Sequence, residues 1–305
     1  MSSETIEITV PEQVTATFVV ASDRADPPLP ATGPPEPFAA AAAERLGTPA
    51  LSVTAHRADA SPWDLHRPLH APDEEDATSA RKAAHHIGVT ATVPAHDLPF
   101  GLQLARAVTG ALADAVTGVP IDIDTRQVVP FRDGPEPSRF ALADDWLGAW
   151  LPPVPADPRC PAADDDHDGC ACLEFTTRGL TRLGLPELRM TAVGCRHDLA
   201  ALNVLRTTAQ RLLPLGRSPG RHLLPRELPL TGADFGAYWG ADEPMWTGPP
   251  LPVQLTRLRP NLLRVGPPAD WPGSQNEWLW DELPPALYDL VSYTPDPTAA
   301  QPPQQ

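Results

Sequence analysis

The chain has 305 residues, 23 of them basic and 39 acidic, for a net charge of −16. A chain of this size can bury a core of its own as one large or two ordinary domains, so its folding needs neither metal nor disulfide staples. The negative surplus repels phosphate backbones and anionic lipid headgroups, which argues against nucleic acid and membranes as partners.

Met1 to Val10 lacks the basic start and apolar core of a signal peptide. The longest uniformly apolar run, Phe38 to Ala43, falls far short of the ~18 residues of a membrane span, and a cytoplasmic location is expected. Lys82 is the single lysine and the remaining cations are arginine, a bias resembling that of a GC-rich bacterial genome. Lys82 stands in a polar Ser-Ala-Arg-Lys stretch, which sets aside Walker-type phosphate loops and Schiff-base chemistry.

In chain order, strand alternation appears at Val14, Ala16, Phe18 and Val20, then at Leu51, Val53 and Ala55, with an Ala-rich helix between them over 38–46. The cleanest strand carries Ile87, Val89, Ala91 and Val93. The strongest helix follows, with Leu98, Leu102, Ala105, Val108, Leu112 and Val116 on one stripe, Asp97 placed to cap it and Gly118 to end it. Strand-like runs at 173–177 and 187–193 read as a hairpin. A second helix follows from Leu199 to Leu212, with Asp198 as its cap and Pro214 and Gly216 as its stop. Beyond residue 225 the periodicity fades into Pro/Trp-rich chain, with one further strand at 253–258.

The 41 prolines crowd between these segments and suggest four parts. Residues 1–80 form an N-terminal strand-helix-strand unit with a Pro-rich linker, and 81–225 a central α/β domain. Residues 226–294 form a Pro/Trp-rich segment packed on the core, and 295–305 a disordered tail. The expected fold class is α/β or α+β, a layered mixed sheet of strand-helix units. Val14-Thr15-Ala16-Thr17 recurs as Val89-Thr90-Ala91-Thr92, which invites a duplication reading.

Several constellations bear on chemistry. Gly216-Arg217-Ser218-Pro219-Gly220 fits the G-x-S-x-G elbow, but it follows a helix, and Pro219 has no amide hydrogen for an oxyanion. An ordinary turn is the better reading. His85, His86 and His96 form no spaced pair of the H-E-x-x-H kind. Trp271, Trp278 and Trp280 beside Glu277, Asp281 and Glu282 suit either a cationic ligand or a clamp on the C-terminal chain.

All four cysteines, Cys160, Cys170, Cys172 and Cys195, fall in one stretch with His167 and His197. Structural zinc sites usually draw ligands in pairs two to four residues apart, and this spacing differs. Buried or loop thiols are therefore the expectation, with zinc as the rival. Asp164, Asp166, Asp168 and Gly169 reproduce the start of a calcium loop, but Phe175 stands where the closing glutamate belongs, so a solvated acidic loop is expected. Neither a metal nor a cofactor is expected to accompany the protein.

Phe175-Thr176-Thr177-Arg178-Gly179-Leu180, followed by Gly184-Leu185-Pro186-Glu187-Leu188, resembles an uncharacterised bacterial domain family with a Thr-Arg-Gly-Leu, Gly-x-Pro-Glu-Leu signature. The resemblance runs from Ile87 to about Leu215 and implies no activity. Read physically, Gly179 and Gly184 suit a tight turn between strands, and Arg178 and Glu187 are candidates for a turn-anchoring ion pair or a substrate clamp. The functional expectation is a non-catalytic cytoplasmic protein-interaction or adaptor protein, immunity-like or regulatory. Its rival is a metal-dependent hydrolase using the Cys/His/Asp cluster at 160–197.

Overall fold

The computed structural model describes residues 5–24, 33–130, 136–150 and 170–288. The expected tail at 295–305 and Cys160, Asp164, Asp166, His167 and Asp168 lie outside the described residues. The elements in chain order are β1 (Thr5–Val10), β2 (Gln13–Ser22), α1 (Ala39–Arg45), β3 (Leu51–Arg57), α2 (Glu74–Lys82), β4 (His85–Pro94) and α3 (Phe100–Val116). Then come β5 (Val119–Asp122), β6 (Gln127–Val128), β7 (Gly148–Trp150), β8 (Leu173–Arg178), β9 (Glu187–Val193) and α4 (Asp198–Leu212). The chain continues through β10 (Gly220–Pro225), β11 (Glu227–Leu230), α5 (Gly232–Tyr238), β12 (Leu251–Arg259), β13 (Leu262–Gly266) and α6 (Gln275–Asp281).

The expected mixed α/β architecture is present. A five-stranded antiparallel sheet has the order β3-β4-β2-β5-β6, and a six-stranded sheet runs β11-β12-β13-β9-β8-β7, with β13 and β9 parallel. β1 and β10 form a separate antiparallel ribbon. Strands on both sides of residue 80 share the first sheet, because β2 and β3 both hydrogen-bond β4. Residues 226–294, read above as a segment packed on the core, supply β11, β12 and β13 to the second sheet.

The period-2 pattern of β2 explains the layers around the first sheet. Phe18 and Val20 join Val89 and the stripe of α3 in the main core, while Val19 and Ala21 join Ile121, Leu65 and Ala80 of α2 on the other face. The repeated tetrapeptides lie on the two central strands and face each other. Ala16 stands opposite Ala91, flanked by Val14 opposite Val93 and Phe18 opposite Val89.

Three helix ends differ from expectation: α4 is preceded by His197 as its N-cap, with Asp198 as its first helical residue, and both ends of α3 also differ. Asp97 does not cap α3, whose N-cap is Pro99; its carboxylate pairs with Arg45 at 2.5 Å. The helix closes at Thr117 with φ of 53°, and Gly118 follows because a Cβ there would come within 2.5 Å of Val20 Cγ1. α4 packs on the second sheet, and the main core runs without a break from the α3 stripe to Leu205, Phe235 and Trp278. Among the described residues, no helix is long and apolar enough to cross a membrane.

Candidate functional site

Two clusters of chemically capable side chains stand out, one between the sheets and one at the open end of a hairpin. The first begins with Arg182, whose side chain is fully buried. Its Nη1 donates to Asp122 Oδ2 at 2.5 Å and its Nη2 to the Trp146 carbonyl at 2.8 Å. Arg182 and Arg106 lie 5.1 and 3.7 Å from the Trp146 ring centre, and Arg106 is itself ion-paired with Glu136. Each buried cation thus has its own carboxylate, the arrangement that makes burial of a charge tolerable.

The signature segment supplies the other half of this junction. Gly179 has φ of 108° and Gly184 of 77°, conformations that favour glycine, and a Cβ on Gly179 would approach the Trp146 carbonyl to 2.7 Å. Glu187, the first residue of β9, reaches back over the turn. It accepts from the Thr177 hydroxyl at 2.7 Å, the Gly179 amide at 3.0 Å, and the Thr181 amide and hydroxyl at 3.1 and 3.0 Å. Glu187 thus anchors the turn on hydroxyls and amides, and its charge raises the Arg178 guanidinium against the effect of burial. Burial pushes the Glu187 carboxyl above its ordinary range despite these bonds, and burial likewise lowers the Arg178 guanidinium.

Asp124 is the junction's most perturbed acid. Burial, reinforced by the charges of Asp122 and Glu187, raises it to about 6 against the opposing pull of Arg182. Its Oδ2 lies 3.9 Å from Arg182 Nη1. That oxygen, Thr125 Oγ1 and Gln127 Oε1 are buried without a hydrogen-bond partner among the described residues.

The second cluster joins three of the four cysteines. The sulfurs of Cys170, Cys172 and Cys195 all lie within 4.8 Å of one another, and those of Cys172 and Cys195 are 3.7 Å apart. The reason is strand register. Leu173 pairs with Val193 at the open end of the β8–β9 hairpin, so Cys172 just before one strand meets Cys195 just after the other. Intervals along the chain, on which the expectation of buried or loop thiols rested, do not measure this closure. His197 is buried two residues beyond Cys195, its ring 6.2 Å from Trp280, and it is not among the converging groups.

The remaining motifs take structural places. Gly216 lies in a 3-10 turn between α4 and β10, and His222 Nε2 contacts the Ser218 carbonyl at 2.6 Å rather than its hydroxyl. His222 and the Ser218 hydroxyl are therefore not paired through this contact. Close to that turn, Leu98, Phe140, Leu183, Leu213 and Arg217 line a cleft of about 430 Å³. Trp278 is fully buried, Trp271 donates to the Ser274 carbonyl at 3.1 Å, and Glu277 completes a capping box with Ser274, so this group clamps α6 onto the body. Trp280 remains half exposed.

Among the family models, the curated proteins and the solved structures compared with this chain, none matches it.

Proposed function

We propose that the protein is a non-catalytic cytoplasmic interaction or adaptor protein, of a regulatory or immunity-like kind, whose acidic exterior meets a basic partner protein. The observation that carries this reading is the disposition of charge. Arg182 and Arg106, both buried, are each matched by a carboxylate, and Glu187 is engaged by four hydrogen bonds. Ionisable groups in the interior hold the two sheets together, and the surplus of −16 is not neutralised inside. At the start of α2, Asp73, Glu74, Glu75 and Asp76 are consecutive exposed carboxylates. A surface of that sign steers and selects a cationic protein surface, and it repels nucleic acid and anionic membranes.

The test is to cross-link the protein in its native host, identify the partner, and titrate the two purified proteins together. A stoichiometric complex is expected, with a Kd that rises with salt and rises again in the Glu74→Lys, Glu75→Lys, Asp76→Lys variant. Salt-independent affinity, or substrate turnover by the isolated chain, would overturn the reading. The rival, a metal-dependent hydrolase centred on 160–197, is favoured by the convergence of Cys170, Cys172 and Cys195. Hydrolytic activity that requires added zinc would select it.

A further inference from the structure

We infer that Cys170, Cys172 and Cys195 form a binding site for a thiophilic divalent cation, zinc foremost, that clips the open end of the β8–β9 hairpin to the start of α4. The inference is independent of the adaptor reading, since it concerns donor atoms and not a partner surface.

Distance is the first argument. Two sulfurs bound to one tetrahedral zinc at ~2.3 Å lie ~3.8 Å apart, and Cys172 Sγ and Cys195 Sγ are separated by 3.7 Å. A disulfide would need ~2.05 Å. With Cys170 Sγ, the three sulfurs stay within 4.8 Å of one another, so a cation between them closes the set through small side-chain rotations. Donor chemistry is the second. Three thiolates are soft ligands that select zinc over magnesium or calcium.

The strongest argument lies in the groups behind the sulfurs. Asn276 of α6 is 3% exposed, and its side chain is used at both ends: Oδ1 accepts from the Gly194 amide at 2.7 Å and Nδ2 donates to the Cys170 carbonyl at 2.9 Å. One buried amide therefore fixes both cysteine-bearing segments. Gly194 is held so closely that a Cβ would stand 3.0 Å from the Cys170 carbonyl oxygen and 3.2 Å from Asn276 Nδ2. The Cys195 amide donates to Cys170 Sγ at 3.1 Å, a bond that strengthens as the sulfur becomes thiolate. Cys195 also begins the 3-10 turn that leads into the positive end of α4. Outer partners that orient the donors and hydrogen bonds to sulfur are the usual surroundings of metal thiolates. In the binding step each coordinating thiol gives its proton to solvent as its sulfur bonds the cation, so three protons leave for each ion bound.

The experiment uses the full chain, purified under reducing conditions, stripped with chelator, and titrated with Co(II) and then Zn(II). The expected result is one equivalent of cobalt with a thiolate-to-metal charge-transfer band, its displacement by zinc, and proton release in weak buffer. Cys172 and Cys195 are exposed, so Cys172→Ser and Cys195→Ser should fold normally while binding at least tenfold more weakly. Asn276→Ala should weaken binding by about 10- to 100-fold with every sulfur intact, its fold checked by circular dichroism. No charge-transfer band at micromolar cobalt would overturn the proposal. So would an undiminished band in the Cys172→Ser, Cys195→Ser double variant, or oxidation of the pair to a disulfide in a protein that takes up no metal.

Discussion

The junction around Arg182 and the corner around Cys195 are both assemblies of reactive side chains, yet they stand in opposite relations to solvent. At the junction, Arg182, Asp122 and Glu187 are covered by two sheets, and most of their hydrogen-bonding capacity is met from within the protein. At the corner, Cys172 and Cys195 are exposed, and the buried group is the amide of Asn276 behind them. A buried charge network fixes how layers meet and is costly to break. A preorganised set of exposed donors costs the fold little and stays available to an incoming ion.

The largest effects should come from breaking the junction. Arg182→Ala leaves Asp122 buried without its cation and the Trp146 carbonyl without its donor, an expected loss of about 3–5 kcal/mol in urea unfolding. The double variant Arg182→Met, Asp122→Leu should lose clearly less, because both charges leave together. A double variant as unstable as the single would show that Arg182 acts through packing against Trp146 and Phe18 instead. Glu187→Ala follows at about 2–4 kcal/mol, since it strips the acceptor from the Gly179 and Thr181 amides inside a turn that two glycines make possible. Unfolding midpoints would check the order.

Legibility from sequence followed how sharply each segment divides core from solvent. β4 and β2, with Ile87, Val89, Ala91 and Val93 against Val14, Ala16, Phe18 and Val20, alternate because helices cover the sheet unequally, and α3 carries a wide apolar stripe. Of the last three strands, β12 was legible at 253–258 and its two neighbours were not. Pro229 and Pro252 face each other across the β11–β12 ladder, where composition argues against strands. α5 and α6 have seven residues each, too few for a stripe to repeat. Their capping boxes, Thr231 with Asp234 and Ser274 with Glu277, were the signals on offer. α2 likewise announces itself through the Asp73 cap and its acid-to-base gradient rather than through its two buried alanines. The cysteine corner depends on pairing at a distance, which no interval between cysteines encodes.

A smaller effect, with the opposite sign, tests the electrostatics of the junction. The Asp124 carboxyl is raised to about 6 in the folded protein, above the ~3.9 of an unfolded aspartate. Between those values the folded state binds more protons than the unfolded one. Ionisation of Asp124 therefore costs stability progressively as pH rises from about 4 to 6, and the cost persists above that window. Asp124→Asn cannot ionise. It should be more stable than the parent at pH 7.5 and equal to it near pH 3.5. A shift of two pH units corresponds to about 3 kcal/mol, but the side chain is 35% exposed, so solvent screening reduces the expected gain to about 1–2 kcal/mol. Thermal melts of both proteins across this range provide the check, and a pH-independent gap would mean that folding leaves the Asp124 pKa unshifted.

The smallest expected effect belongs to the corner. Without metal, Cys172 is an exposed thiol at the edge of β8, and serine differs from it by one chalcogen atom in a place where solvent already reaches. The Asn276 clamp does not depend on it, because that amide grips the backbone of residues 170 and 194. Cys172→Ser should therefore change the stability of the stripped protein by no more than about 0.5 kcal/mol. With excess zinc the two proteins should separate, because a ligand that binds only the folded state raises stability by RT ln(1 + c/Kd), where c is the free zinc concentration, about 2.7 kcal/mol at a hundredfold excess over Kd. Paired Tm measurements with chelator and with zinc isolate that difference. A large loss in chelator alone would mean that Cys172 packs structurally, which would make the corner resemble the junction after all.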